Sequence, residues 1–235
     1  NVPRMCFINK MDRTGADFYY VLGTIRERLG CNAAVIQLPI GAESDFAGII
    51  DLIEMNALVW QGEDLGASWD VVDIPGDLVE TAQEYRAELI DVLSEFDENI
   101  LEKFVGEEEI TVDDVRSAVR TGTLAGHCVP ILTGSAFKNK GVQYLVDAVV
   151  DYLPSPLEIP AARGQKVDDE SEEVVAATDD NAKFCSLAFK LWADKYVGKL
   201  VFFRVYSGTV SKGDMVYNPR TRRKERERRI SCSEV

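Results

Sequence analysis

The chain has 235 residues, of which 46% are apolar and 28% are charged, which is typical of a globular protein with one large domain or two ordinary ones. This length excludes a small disulfide scaffold, and no apolar run approaches the roughly 18 residues that a membrane-spanning helix needs. The net charge of −14 at pH 7 is unevenly spread, because residues 63–114 hold 18 acidic side chains and only two basic ones. That segment would repel phosphate, which disfavours a chain-wide nucleic-acid binder.

The first residue is Asn1, and residues 1–9 lack the charged and apolar regions of a signal peptide. We therefore expect a fragment that begins inside a domain. The five cysteines are an odd number without any Cys-x-x-Cys pair, so we expect free thiols in a reducing, cytoplasmic setting. The single histidine, His127, lies in no nucleophile motif, and we expect it at a helix end or on the surface.

The chain opens with an apolar run at residues 2–8 that ends in Asn9-Lys10-Met11-Asp12, which predicts a buried strand followed by a polar loop. Residues 17–29 carry apolar side chains at helical spacing, and Gly30 is placed to end that helix. Short strands are predicted next, at residues 33–38 and within 46–60.

The clearest helix is predicted at residues 77–96, where apolar side chains recur along one face. The opposite face is acidic, since Glu80, Glu84 and Glu88 follow one another at i, i+4. Like charges at this spacing slightly destabilise a helix, so this face is either simply solvated or a docking surface for a basic partner. Shorter helices are predicted at residues 99–105 and 112–121.

A second strand, loop and helix repeat the order of the first. Residues 129–133 are apolar, residues 134–141 form a polar loop that begins Gly-Ser-Ala-Phe, and residues 142–152 have helical spacing. Prolines then form a stiff connector, and residues 167–180 are polar, acidic and without a period, which predicts a flexible loop.

From Lys183 onward the apolar residues alternate as they do in strands, which predicts the start of an all-β domain. About fifty residues provide about four strands, too few to close a typical barrel. The last predicted strand places Arg222, Lys224, Arg226 and Arg228 on one face at period two. This face is either an ordinary solvated surface or a contact for RNA phosphates.

The two polar loops carry residue types suited to recognising guanine. The Asp12 carboxylate can accept hydrogen bonds from the N1–H and the exocyclic amine of guanine, a donor pair that adenine does not present. Asn9 would tie its loop to the neighbouring segments and meet the base edge, while the stem of Lys10 would lie along the base plane. We expect the Ala136 amide to donate to guanine O6, Ser135 to brace the Asp12 loop, and either Phe137 or Lys138 to cover the other face of the base. Both loops follow apolar strands, where open α/β sheets bind ligands.

Several segments resemble bacterial elongation factor G, the translocation GTPase of the ribosome, and together they extend over essentially the whole chain. They include Asn9-Lys-Met-Asp-Arg-Thr-Gly-Ala-Asp17, Gln37-Leu-Pro-Ile-Gly41, Phe96-Asp-Glu-Asn-Ile100 and Gly134-Ser-Ala-Phe-Lys-Asn-Lys-Gly-Val142. The resemblance implies an α/β fold containing the C-terminal half of a P-loop-type GTPase domain, with an inserted α+β subdomain and an incomplete β-barrel domain after it. The corresponding ranges are 1–29 with 126–160 for the GTPase half, 30–125 for the insert, 161–182 for a flexible linker, and 183–235 for the partial barrel.

The resemblance also implies GTP and GDP as ligands, with Mg²⁺ bound only in the intact protein. The sequence contains no Gly-x-x-x-x-Gly-Lys-[Ser/Thr] segment, so the phosphate loop and both switches would lie upstream and we expect no GTPase activity from the chain alone.

The implied partners are the ribosome and, indirectly, the tRNA–mRNA complex. The acidic helix would bind the large-subunit stalk protein and the basic strand would contact small-subunit RNA, in a monomeric protein without membrane contact. Two alternatives share this architecture: a ribosome-protection protein, and a ribosome-binding module without catalysis.

Overall fold

The structure, a computed structural model, describes residues 2–60, 66–166, 171–195 and 198–226. The chain divides into two compact units, Asn1–Pro154 and Ser155–Val235. The strands of the first unit are β1 (Cys6–Ile8), β2 (Ala33–Val35), β3 (Gln37–Ile40), β4 (Gly48–Asp51), β5 (Asn56–Val59), β6 (Asp70–Val72) and β7 (Val129–Thr133). Its helices are α1 (Phe18–Leu29), α2 (Val79–Ser94), α3 (Glu98–Val105), α4 (Val112–Ala125) and α5 (Val142–Tyr152).

The first unit contains a parallel sheet in the order β1-β7-β2. Ile8 of β1 lies opposite Thr133 of β7, and Ala33 of β2 lies opposite Val129. The five residues of β7 are all buried, as expected for a central strand that is covered on both faces. Because the strands are parallel, the loops that follow β1 and β7 leave from the same edge of the sheet.

The position of β2 corrects one predicted boundary. We predicted an inserted subdomain from residue 30 to residue 125, but Ala33–Val35 pairs with β7 in the parallel sheet. Only the strands after β2 form a separate sheet, which is antiparallel and has the order β3-β4-β5-β6. β6 was not predicted, because its three residues are all exposed and show no apolar alternation.

One continuous core joins both sheets and the helices of the first unit. Leu22 of α1, Leu38 of β3, Ile49 of β4, Leu89 of α2 and Ile131 of β7 are each at most 2% exposed. Full burial of such a side chain stabilises the fold by about 1.5–3 kcal/mol, so this shared core fixes the antiparallel sheet against the parallel one.

Local sequence signals define the helix ends closely. The Asp17 carboxylate accepts from the Tyr20 amide at 2.9 Å and caps α1, and Gly30 ends this helix with a φ of 56°. Thr111 and Asp114 form a capping box at the start of α4. Hydrogen bonds from Lys103 first, and then from Thr111, hold the pKa of Asp114 well below its usual range.

The turn between β4 and β5 contains a buried carboxylate. Asp51 Oδ1 accepts from the amides of Ile53 at 2.8 Å and Glu54 at 3.0 Å. Burial raises the pKa of Asp51, and these two hydrogen bonds and the charge of Arg116 oppose the rise. The Asp51 carboxyl thus holds the backbone of this turn, although burial disfavours its charged form.

Among its described residues, the second unit contains three two-stranded antiparallel ladders. These pair β8 (Ala162–Gln165) with β9 (Glu173–Ala176), β10 (Cys185–Asp194) with β11 (Gly198–Ser207), and β12 (Met215–Asn218) with β13 (Arg223–Arg226). The prediction of a β-rich C-terminal part is confirmed, but the flexible linker at residues 161–182 is corrected, because β8 and β9 form a hairpin there. The valines of β9 and its pairing with β8 favour a strand, whereas the acidic composition of this segment predicted a loop.

Within the described parts of the chain, no helix has both the length and the apolar character needed to cross a membrane.

Candidate nucleotide-binding site

The two polar loops lie side by side at one edge of the parallel sheet. The first loop follows β1 and the second follows β7, and the Met11 amide donates to the Gly134 carbonyl at 3.2 Å. Met11 is only 1% exposed, so its side chain anchors the first loop in the core. Lys10 has a φ of 67°, a left-handed conformation that makes the sharp turn after the strand.

Two side-chain hydrogen bonds join the loops. The buried Ser135 hydroxyl donates to Asp12 Oδ1 at 2.6 Å, which is the bracing contact that we predicted. Asn9 Oδ1 accepts from the Ala136 amide at 2.9 Å and from the Lys10 amide at 2.7 Å. Ser135 was predicted to brace Asp12 and Asn9 to tie its own loop to its neighbours, and the neighbour that Asn9 contacts is the second polar loop.

The Ala136 amide already has an acceptor within the protein. We predicted that the Ala136 amide donates to guanine O6, and here it donates to Asn9. A backbone N–H requires an acceptor, and the Asn9 side chain provides one. For the Ala136 amide to donate to a base, an oxygen of the base must therefore replace Asn9 Oδ1 as its acceptor.

Exposure separates the supporting residues from those that can meet a ligand. Ser135 is completely buried, whereas Phe137 is 80% exposed. Asn9, Lys10 and Ala136 are also exposed. The site therefore has a buried brace below an open polar edge, with an aromatic ring beside it that is accessible to a planar ligand.

Sequence reasoning missed a third loop, residues 41–46, which connects β3 to β4. The Glu43 amide donates to the Met11 carbonyl at 2.7 Å, and Glu43 Oε1 accepts from the Gly15 amide at 2.7 Å. Lys140 Nζ, from the second polar loop, donates to the Phe46 carbonyl at 3.3 Å. No motif marks Glu43, because its role depends on a contact across 28 residues of sequence.

The acidic face of α2 is present, although its three glutamates are not equivalent. Glu80 and Glu84 are exposed, while Glu88 is partly buried and forms an ion pair with Arg26 of α1 at 2.5 Å. Glu88 is therefore already engaged within the fold, and Glu80 and Glu84 form the accessible part of this face.

The predicted basic strand is shorter than expected. Arg222 has a φ of 53° and lies in the turn before β13, which corrects its placement on the strand. Lys224 and Arg226 belong to β13, where Lys224 is exposed and lies opposite Tyr217. Arg228 lies outside the described residues.

Comparison with known proteins gives the family. Residues 1–155 match the family model described as the elongation factor Tu GTP-binding domain, which is more than half of the chain. The chain belongs to this GTP-binding family. It is also similar to the crystal structure of a protein from Thermus thermophilus, with a TM-score of 0.68 and 25% sequence identity. That match covers 91% of the present chain, which spans only 28% of the length of the Thermus protein.

The α/β fold expected for a translation-factor-like GTPase is thereby confirmed. The family implies that the GTP-binding domain binds guanine nucleotides. In the portion of the chain that the structure describes, no group of three or more His, Cys, Asp or Glu residues is placed to hold a metal ion.

Proposed function

We propose that this chain provides the guanine-recognition loops of an elongation factor G-like GTPase that drives tRNA–mRNA translocation. The observation that carries the proposal is the junction of the two loops, in which Ser135 holds Asp12 and Asn9 holds Ala136. Four of the residues that we assigned to one base from the sequence, Asn9, Asp12, Ser135 and Ala136, are thus joined in pairs by hydrogen bonds across more than 120 residues of chain.

Recognition of the base follows from the donors and acceptors at this edge. Ser135 occupies Asp12 Oδ1, and the carboxylate retains acceptor capacity for the N1–H and amine of guanine. When the base binds, the Ala136 amide donates to O6 of the base instead of to Asn9 Oδ1. The Asn9 side chain can then meet the base edge. The exposed Phe137 ring and the Lys10 stem cover the faces of the base.

Hydrolysis requires groups that these loops do not contain. A phosphate loop cradles the triphosphate, and Mg²⁺ neutralises charge on the transferred phosphoryl group. In our proposal both belong to the intact protein, and the residues of this chain select the base.

The partners that we propose are macromolecular. Glu80 and Glu84, with Glu88 beside them, would bind a basic surface of the large-subunit stalk protein. Arg222, Lys224, Arg226 and Arg228 would contact phosphates of small-subunit ribosomal RNA. We propose a monomeric cytoplasmic protein that binds the ribosome through these two charged surfaces.

The base assignment is tested with an Asp12→Asn variant of the full-length protein encoded by the gene. An amide presents a donor where the carboxylate presents an acceptor, so the variant should lose GDP affinity and gain affinity for xanthosine diphosphate. Asp113→Asn, which changes the same charge at an exposed position of α4, serves as the matched control. Unchanged GDP affinity in Asp12→Asn, measured by calorimetry, would defeat the assignment.

The stalk contact is tested separately with a Glu80→Lys/Glu84→Lys variant, which leaves the Arg26–Glu88 ion pair in place. It should bind the isolated stalk protein more weakly, and the loss should shrink as salt is raised, because salt screens exposed charges. Equal binding by the variant and the wild type would mean that this face is only a solvated surface.

A further inference from the structure

The loop at residues 41–46 holds the first polar loop at two points. The Glu43 amide donates to the Met11 carbonyl and the Glu43 carboxylate accepts from the Gly15 amide, both at 2.7 Å. Met11 directly precedes Asp12, and Gly15 lies three residues after it. The segment that carries Asp12 is thus clamped on both sides by one residue.

The same loop also contacts the second polar loop. Lys140 Nζ donates to the Phe46 carbonyl at 3.3 Å and lies 5.9 Å from the centroid of the Phe46 ring. Lys140 is joined to Ser135 by two backbone hydrogen bonds of 2.9 and 3.0 Å. Because Ser135 braces Asp12, the 41–46 loop supports the Asp12 carboxylate through both polar loops.

The backbone of this loop is under constraint. Glu43 has a φ of 55°, and Gly41 has a φ of 75°. A Cβ at Gly41 would lie 2.1 Å from the Asp45 carbonyl oxygen, so the turn closes only with glycine at that position. A non-glycine residue keeps a left-handed backbone conformation when its surroundings hold it there. The two hydrogen bonds of Glu43 hold its backbone in this conformation.

We propose that Glu43 is a positioning residue that holds Asp12 in the geometry needed to read guanine, and this rests on the proposed function of the two polar loops. In this proposal the Glu43 carboxylate makes no contact with the base and acts through the loop that it clamps. The β3–β4 connection, part of the inserted sheet, thereby sets how well the site distinguishes one purine from another.

The first measurement is hydrogen exchange of the 235-residue chain, which needs no nucleotide. Glu43→Ala should increase exchange of the Gly15 amide, while Glu43→Gln, which keeps a carbonyl acceptor, should retain most of its protection. Ser44→Ala is the matched control, since Ser44 is exposed and its hydroxyl makes a long hydrogen bond to Asp45 Oδ1, at 3.5 Å. Equal Gly15 exchange in wild type and Glu43→Ala would overturn the clamp.

The second measurement is the affinity of the full-length protein for GDP and for inosine diphosphate, which lacks the exocyclic amine. When Glu43 does not clamp the loop, Asp12 meets the base for a smaller fraction of the time, so the contacts of Asp12 to the base weaken while the other contacts of the nucleotide remain. Glu43 and Gly15 are both exposed, so water replaces part of the lost charge-assisted hydrogen bond, and we expect about three- to tenfold weaker GDP binding in Glu43→Ala. Because Asp12 reads the amine, the preference for GDP over inosine diphosphate should fall as well, and Glu43→Gln should restore it.

The outcomes separate the two proposals. A wild-type preference for GDP that Asp12→Asn abolishes and Glu43→Ala leaves unchanged would refute the positioning role and keep the proposed function. An equal loss for both nucleotides in Glu43→Ala would also refute it, since general destabilisation does not change the base preference. If Asp12→Asn itself leaves the preference unchanged, the proposed function fails, and the positioning role fails with it.

Discussion

Replacement of Ser135 by alanine tests the junction between the two polar loops. The Ser135 side chain is fully buried, donates to Asp12 Oδ1 at 2.6 Å and accepts from the Lys138 amide at 3.3 Å. Ser135→Ala removes only the hydroxyl, so it creates no clash and breaks both hydrogen bonds.

The expected loss follows from the two bonds. A hydrogen bond to a charged group contributes about 1.5–3 kcal/mol and a neutral one about 0.5–1.5 kcal/mol. Asp12 is only partly buried, so in the variant water replaces part of the hydrogen bond that Asp12 loses. We therefore expect Ser135→Ala to lower the free energy of unfolding by about 2 kcal/mol, measured by urea denaturation of the 235-residue chain.

A double-mutant cycle isolates the contact between Ser135 and Asp12. Because Asp12→Ala removes the acceptor, adding Ser135→Ala to that variant should cost about 1 kcal/mol less than it costs in the wild type. Ser117→Ala, at an exposed position of α4, should change the free energy of unfolding by no more than about 0.5 kcal/mol. Additivity of the Ser135 and Asp12 substitutions within about 0.3 kcal/mol would refute the bridge.

Three further perturbations follow from packing and burial. A Cβ at Gly122 of α4 would lie 2.8 Å from Cys128 Sγ, so Gly122→Ala should destabilise the chain by about 1–3 kcal/mol. A Cβ at Gly23 of α1 would meet no atom within 4 Å, so Gly23→Ala should stabilise the chain by about 0.5–1 kcal/mol. Changes of the same sign in the free energy of unfolding of both variants, measured by urea titration, would contradict this packing. Burial raises the pKa of Cys128 to about 11. At about pH 8, near the ordinary thiol pKa, iodoacetamide should therefore label the exposed Cys185 well before Cys128. Equal labelling of the two cysteines in a peptide map would show that Cys128 is accessible. Burial raises the pKa of Asp51, so the native state holds this proton more tightly than the unfolded state and stability is lost as pH rises above the ordinary carboxyl range. Asp51→Asn, whose carbonyl can still accept the turn amides, should therefore be more stable than wild type at about pH 7, with a gain that disappears toward about pH 3; a gain of equal size at both pH values would show that the carboxylate charge is not its cause.

Several features could be predicted from the sequence because they depend on neighbours in the chain. The helical spacing and the stop at Gly30 predicted α1, and residues 142–152 were predicted with the bounds that α5 has. The two polar loops were also recognised, since each combines an apolar strand with a short run of characteristic residues. These signals are local, and hydrogen bonds within a few residues decide them.

Tertiary structure decided the features that join distant segments. Neither the pairing of Ala33–Val35 with β7 nor the Arg26–Glu88 ion pair has a signal in residue spacing. The clamp by Glu43 depends on where the β3–β4 connection lies after the core has packed. The sequence by itself determined which residues we propose as readers of the base, and the fold determined how those residues are held, because their supports come from parts of the chain that meet only after folding.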